Sequence, residues 1–206
     1  SINYRLGVLG LLSHPCLRDE DTGYDGNWGF LDQIAALEWI NRNITQFGGD
    51  PGNVTIVGLS VGGGSVGAHC ICPRSRPLFR RAVVQSSSRL PTPRSDHDAA
   101  TAALLEKLGI AASAEALRAI DGEALQAAQA RWMIKLQNGR TAPRPMLDGD
   151  LLPHWPDAAM AAGLMDGLDL WVSYARDEST VFAMADRPMP FRKQTNSWTA
   201  SWPRRV

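Results

Sequence analysis

A serine hydroxyl is a weak nucleophile until the backbone lifts it clear of its surroundings and a base takes its proton. Gly58-Leu59-Ser60-Val61-Gly62 fits the pattern G-x-S-x-G, which carries meaning only where a strand feeds a helix through a strained turn. The apolar run Val54 to Val57 stands just before it and a helix-forming stretch just after, so that context is present. The flanking glycines permit a sharp turn without a Cβ clash, and the backbone N–H of Val61 opens the helix, where it can donate to a developing oxyanion. That chemistry is acyl transfer. The bland reading of the same letters is a serine capping a helix in a glycine-rich turn.

Two other readings of this stretch fail on phase. Gly62-x-Gly64-x-x-Gly67 fits a dinucleotide fingerprint, but its first glycine lies beyond the turn instead of closing the strand, and only Ser86, Ser87, Ser88 and Arg89 stand where a ribose-binding acid belongs. A phosphate loop lacks its Gly-Lys-Ser/Thr. The four histidines, His14, His69, His97 and His154, read as surface or loop residues, and His14, Cys16, His69, Cys70 and Cys72 fit no common zinc spacing. Cys70 and Cys72 read as small residues packed behind a helix, and three cysteines build no disulfide framework.

The elements that must position Ser60 follow from periodicity. Residues 3 to 9 read as a buried strand end, and Ser13 to Asn27 as a polar loop. From Phe30, Leu31, Ile34, Leu37, Ile40 and Ile44 recur at helical spacing up to Gly48-Gly49-Asp50-Pro51. Arg81 to Gln85 and Leu168 to Tyr174 read as strands, about 96–137 as a helical stretch, Pro145 to Pro153 as a turn-rich loop and Asp157 to Met165 as a short helix. Alternating strands and helices imply a parallel sheet flanked by helices. With 206 residues, 44% hydrophobic and 20% charged, the chain can bury the core of one such domain. The balance of 21 basic against 21 acidic residues argues against nucleic acid as partner. No apolar run reaches a membrane span. Of the basic residues 21 − 3 = 18 are Arg, which with many alanines points to a GC-rich, bacterial genome.

The chain resembles the type-B carboxylesterases, the family of para-nitrobenzyl esterases and cholinesterases. Asn3-Tyr4-Arg5-Leu6-Gly7, Gly29-Phe30-Leu31-Asp32-Gln33, Ala35-Ala36-Leu37-Glu38-Trp39-Ile40, Phe47-Gly48-Gly49-Asp50-Pro51, the Ser60 turn and Leu78 to Ser86 carry the resemblance, with Arg176-Asp177-Glu178 as a weaker match. It implies an α/β-hydrolase fold, incomplete at both ends, over 1–182, with a helical elaboration at about 96–137 and an irregular tail over 183–206. It also implies a small-molecule carboxylic ester as substrate and no cofactor. Ser60 would be the nucleophile, Val61 an oxyanion donor through its backbone, Glu178 the acid that orients a histidine, and Ser86 a supporting serine beside them. Glu178 follows Ser60 by 178 − 60 = 118 residues, in the order serine, acid, histidine. Arg5 and Asp32 would form the family's buried ion pair.

The departures are informative. Leu59 replaces a usual Glu and Val61 a usual Ala, which makes the floor of the site less polar and tighter. The family's Gly-Gly loop would precede residue 1, and none of the 206 − 178 = 28 residues after Glu178 is a histidine. The expectation is therefore the middle of a longer esterase, impaired and poorly folded by itself, with any leader preceding Ser1. Two rivals stand beside it: a catalytically dead esterase-like binding module, and a dinucleotide-binding domain.

Overall fold

The computed structural model describes residues 1–87, 91–137 and 144–178, giving the backbone alone for 130–137. The expected irregular segment 183–206 and the domain limit at 182 lie outside the described residues. In chain order the elements are α1 (Gly7–Leu11), α2 (Trp28–Asn43), β1 (Thr55–Leu59), α3 (Val61–Ile71) and β2 (Arg81–Gln85). They continue as β3 (Thr92–Pro93), α4 (Arg94–Leu108), α5 (Ala114–Arg118), α6 (Gly122–Gln137), β4 (Met146–Leu147), α7 (Pro156–Ala161) and β5 (Asp169–Ser173).

β1, β2 and β5 form a parallel sheet in that order, in the register Val57↔Val83↔Trp171 and Leu59↔Gln85↔Ser173. Parallel neighbours need a crossover, and α3 supplies it between β1 and β2. α3 packs small residues, Gly63, Val66 and Cys70, against this sheet, while Leu37 of α2 closes the same core with Phe79 and Ala82. A second core joins α2 to α3 and α7 through Phe30, Ile34, Ala68, Ile71, Leu151 and Leu152.

Residues 3 to 9 do not form the expected buried strand. Leu6 is extended, but a helix starts at Gly7, and Leu6 and Leu9 are both exposed. A strand is held by its ladder, and among the described residues none pairs with this segment. Instead α1 packs Val8 and Leu12 on α4 and α6, and Gln129 Oε1 accepts the Val8 N–H at 3.1 Å.

The long helical stretch is three helices. Gly109, at φ +65°, ends α4 in the left-handed conformation that favours glycine. Ser113 Oγ then caps α5, and the Asp121 carboxylate caps the first turn of α6. A long-range latch ties the loop before α2 to β4. Asn27, buried at φ +59°, accepts from the Met146 N–H and donates to the Met146 carbonyl and to Asp148. Beside it, the Asp25 carboxylate accepts from both terminal guanidinium nitrogens of Arg94.

Candidate functional site

The junction from β1 into α3 forms the strained elbow that the sequence implied. Ser60 sits at φ +56°, ψ −115°, a conformation that L-residues avoid, and it is exposed at the carboxyl edge of the sheet. Two backbone bonds hold it there: its N–H donates to the Gln85 carbonyl of β2 at 2.9 Å, and its own carbonyl accepts the Gly64 N–H at 3.0 Å. The glycine requirement differs from the motif's letters. A Cβ on Gly58 would collide with the Gly62 carbonyl, and one on Gly63 would stand 2.8 Å from the Ser87 Cβ and 2.9 Å from the Gln85 oxygen. At Gly62 nothing lies within 4 Å. Gly58 and Gly63, not Gly58 and Gly62, are the residues that sterics demand, because α3 must press its first turn against β2.

Val61 is the first residue of α3, so its N–H points out of the helix with no intrahelical acceptor. Its side chain is 37% exposed, and Leu59, on the other side of Ser60, is 63% exposed.

The second half of the site is built at the ends of β2 and β5. Ser86 is held at φ +48° by donating its N–H to the Ser173 carbonyl at 2.8 Å. Its hydroxyl donates to Glu178 Oε2 at 3.1 Å, and the Ala175 N–H donates to the same oxygen at 2.6 Å. Two donors converge on one carboxylate oxygen, which fixes the side chain in the turn after β5. Tyr174 beside it has its phenol pushed up, by burial first and by the Glu178 charge second. The structure thus brings Ser86 and Glu178 into contact. It places Ser60 on the same edge, one strand from Ser86 and two from the turn after β5 that bears Glu178.

The histidines correct the sequence reading. His69 and His97 are buried, at 4% and 0% exposure, instead of lying on the surface or in loops. His69 stacks on Phe30 with ring centroids 4.4 Å apart and bonds to Gln33 Oε1 at 3.0 Å and Ser75 Oγ at 2.9 Å. The Gln33 oxygen can only accept, so Nε2 carries the proton and Nδ1 accepts from Ser75. Burial pushes this imidazole down to about 3 and that of His97, bonded to the Leu11 carbonyl, down to about 4. Both are neutral packing elements. The apolar pattern of α2 and α3 hid this, because a polar His–Gln–Ser chain inside a core has no periodicity of its own. His14 Nδ1 accepts from the Cys16 N–H, and Cys70 and Cys72 are buried behind α3 as expected. Arg5 and Asp32 do pair, at 2.7 Å, but at 52% and 26% side-chain exposure the pair lies on the surface and is not the expected buried one.

The family model for carboxylesterases matches residues 1–202. The chain belongs to the carboxylesterase family. Within that family it is 36% identical over 189 residues to the para-nitrobenzyl esterase of Bacillus subtilis, covering 90% of this chain and 38% of the relative. It is 34% identical over 216 residues to cholinesterase 1 of Branchiostoma lanceolatum, covering 96% of this chain and 57% of that one. A solved PNB esterase structure superposes with a TM-score of 0.80 at 34% identity, over 92% of this chain and 40% of that chain. The fold is therefore α/β-hydrolase, and the chain spans between about two fifths and three fifths of these carboxylesterases.

Proposed function

We propose that this chain carries the nucleophile, one oxyanion donor and the acid of a serine hydrolase acting on small-molecule carboxylic esters. The observation that supports this most is the strained φ of Ser60, because such strain persists only where the surrounding structure over-determines it, and it clusters at functional sites. Ser60 Oγ attacks the ester carbonyl, a histidine accepts its proton, and the tetrahedral oxyanion takes a hydrogen bond from the Val61 N–H. Glu178, steadied by Ser86 and the Ala175 N–H, orients that histidine. No cofactor enters these steps.

Two of the chain's own four imidazoles, those of His69 and His97, are withdrawn from this role by burial. His69 and His97 are committed to buried bonds, His14 caps a short turn, and His154 precedes α7. A second reading is an esterase-like binding module without turnover. A fluorescent serine-directed phosphonate separates the two. Labelling of the folded chain that disappears in Ser60→Ala supports the hydrolase, and a folded chain that takes no label supports the module. The two named relatives differ in the alcohol their names specify, so kinship carries the ester bond but not the group beyond it.

A further inference from the structure

The loop between α1 and α2 holds a second nucleophile with a base beside it. Residues Pro15–Leu17 make one tight helical turn, and Pro15 fixes the backbone φ at its start, so His14 and Cys16 flank a rigid residue. The imidazole folds back over this turn. His14 Nδ1 accepts the Cys16 N–H at 3.1 Å and stands 2.9 Å from Cys16 Sγ. A backbone N–H can only donate, so Nδ1 is the unprotonated ring nitrogen, and the thiol hydrogen is the proton that lies between sulfur and ring. Capping the turn requires the N–H contact alone. The thiol contact is additional to it, and a nucleophile within hydrogen-bond reach of a base is the arrangement that activates a cysteine.

The chain's three cysteines are not equivalent. Cys70 and Cys72 are 1% and 0% exposed, and burial pushes the Cys70 thiol up to about 12. Cys16 is only partly buried, packed on the helical core that contains Leu12, Leu104 and Leu117. Burial raises its pKa too, with its own backbone N–H and the charge of Arg118 pulling the other way. The thiol is thus protonated near neutral pH, and a protonated thiol is a poor nucleophile. Reaction there depends on a base that takes the proton as the sulfur attacks, and His14 is already in place.

We propose that Cys16 is a modification site for small disulfides, with His14 as the base that accepts the thiol proton during attack. Cys16 Sγ bonds to one sulfur of the disulfide as the S–S bond breaks, and the thiol proton passes to His14 Nδ1 and then to the departing thiolate. Cys16 is oxidised to a mixed disulfide, and the other half of the reagent is reduced to a free thiol. The adduct carries no charge, which suits a sulfur lying against an apolar core, whereas a sulfinate would bring a charge there. Ser60 takes no part, so this reactivity stands or falls independently of the hydrolase reading.

The test follows the reaction of the 206-residue chain with dipyridyl disulfide, whose released thiopyridone is read by absorbance, while peptide mass spectrometry locates the adduct. One fast thiol is expected, at Cys16, with Cys70 and Cys72 reacting only in denaturant. Cys16→Ser should remove the fast phase. His14→Asn retains an oxygen that can cap the turn but supplies no base, and the fast phase is expected to slow by about a hundredfold. The inference is overturned if all three thiols react at one rate, if the fast adduct maps to Cys70 or Cys72, or if a folded His14→Asn chain reacts as fast as wild type. Should circular dichroism show that His14→Asn has lost its fold, the wild-type chain decides by its rate in heavy water. Proton transfer during attack makes that reaction slower than in ordinary water, and an equal or faster rate overturns the role of His14.

Discussion

The two faces of the three-stranded sheet use the same strands and differ in almost everything else. On one face Ile56, Ala82, Val84 and Leu170 lie with α3, Leu37 and Phe79 in a closed core. On the other, Val57 is 61% exposed, Leu59 63% and Trp171 68%, and among the described residues nothing covers them. Parallel sheets are normally covered on both faces. Around the elbow the covered face is built by a crossover that is local in sequence, since β1, α3 and β2 are contiguous. The Ser60 elbow is therefore complete on its own side, whatever happens on the other.

The largest effect that would break this contrast is at Gly58. Gly58→Ala drives a Cβ into the Gly62 carbonyl on the covered side, and the expected loss is several kcal/mol or failure to fold, read by denaturant unfolding. An equal stability for the variant would mean that α3 does not press on β1 as described.

Acid sharpens the contrast next. His69 lies among Phe30, Gln33 and Ser75 on the α2–α3 side, and its pKa falls from 6.5 in the unfolded chain to about 3 in the folded one. Between those values the unfolded state binds a proton that the folded state refuses, so stability is complete above pH 6.5 and declines as pH falls toward 3. His97, lowered to about 4, adds a slope of the same sign. His69→Gln should flatten this part of the stability–pH curve, and an unchanged slope would place the acid sensitivity elsewhere. The smallest effect belongs to the open face. Trp171→Ser should change unfolding stability by about 0.5 kcal/mol or less, while lowering self-association measured by light scattering. A large loss there would show that the face is covered.

How much of this was legible depends on whether the signal was local. β2 was readable residue for residue, since Ala82-Val83-Val84 is a short β-prone apolar run ending at a serine cluster, and the strand–turn–helix around Ser60 followed from its glycines. The pairing of Ser86 with Glu178 came from resemblance, because nothing in a Glu beside an Asp announces a partner 92 residues away. Residues 3 to 9 misled because a strand-like composition specifies an extended chain only when a ladder partner exists. The burial of His69 was hidden for the converse reason: its environment is made by Gln33, 36 residues upstream. Gly63 stood unremarked inside Gly62-Gly63-Gly64, where only the approach of β2 distinguishes the three.

The latch between Asn27 and Met146 has a consequence in time. Its partners are 119 residues apart, so its closure must await most of the chain, whereas α2, β1, α3 and β2 can meet once residue 85 has been made. Non-local closures are slow relative to neighbouring ones. On a ribosome the elbow that bears Ser60 is thus positioned to form early, and the loop ahead of α2 settles only as β4 emerges.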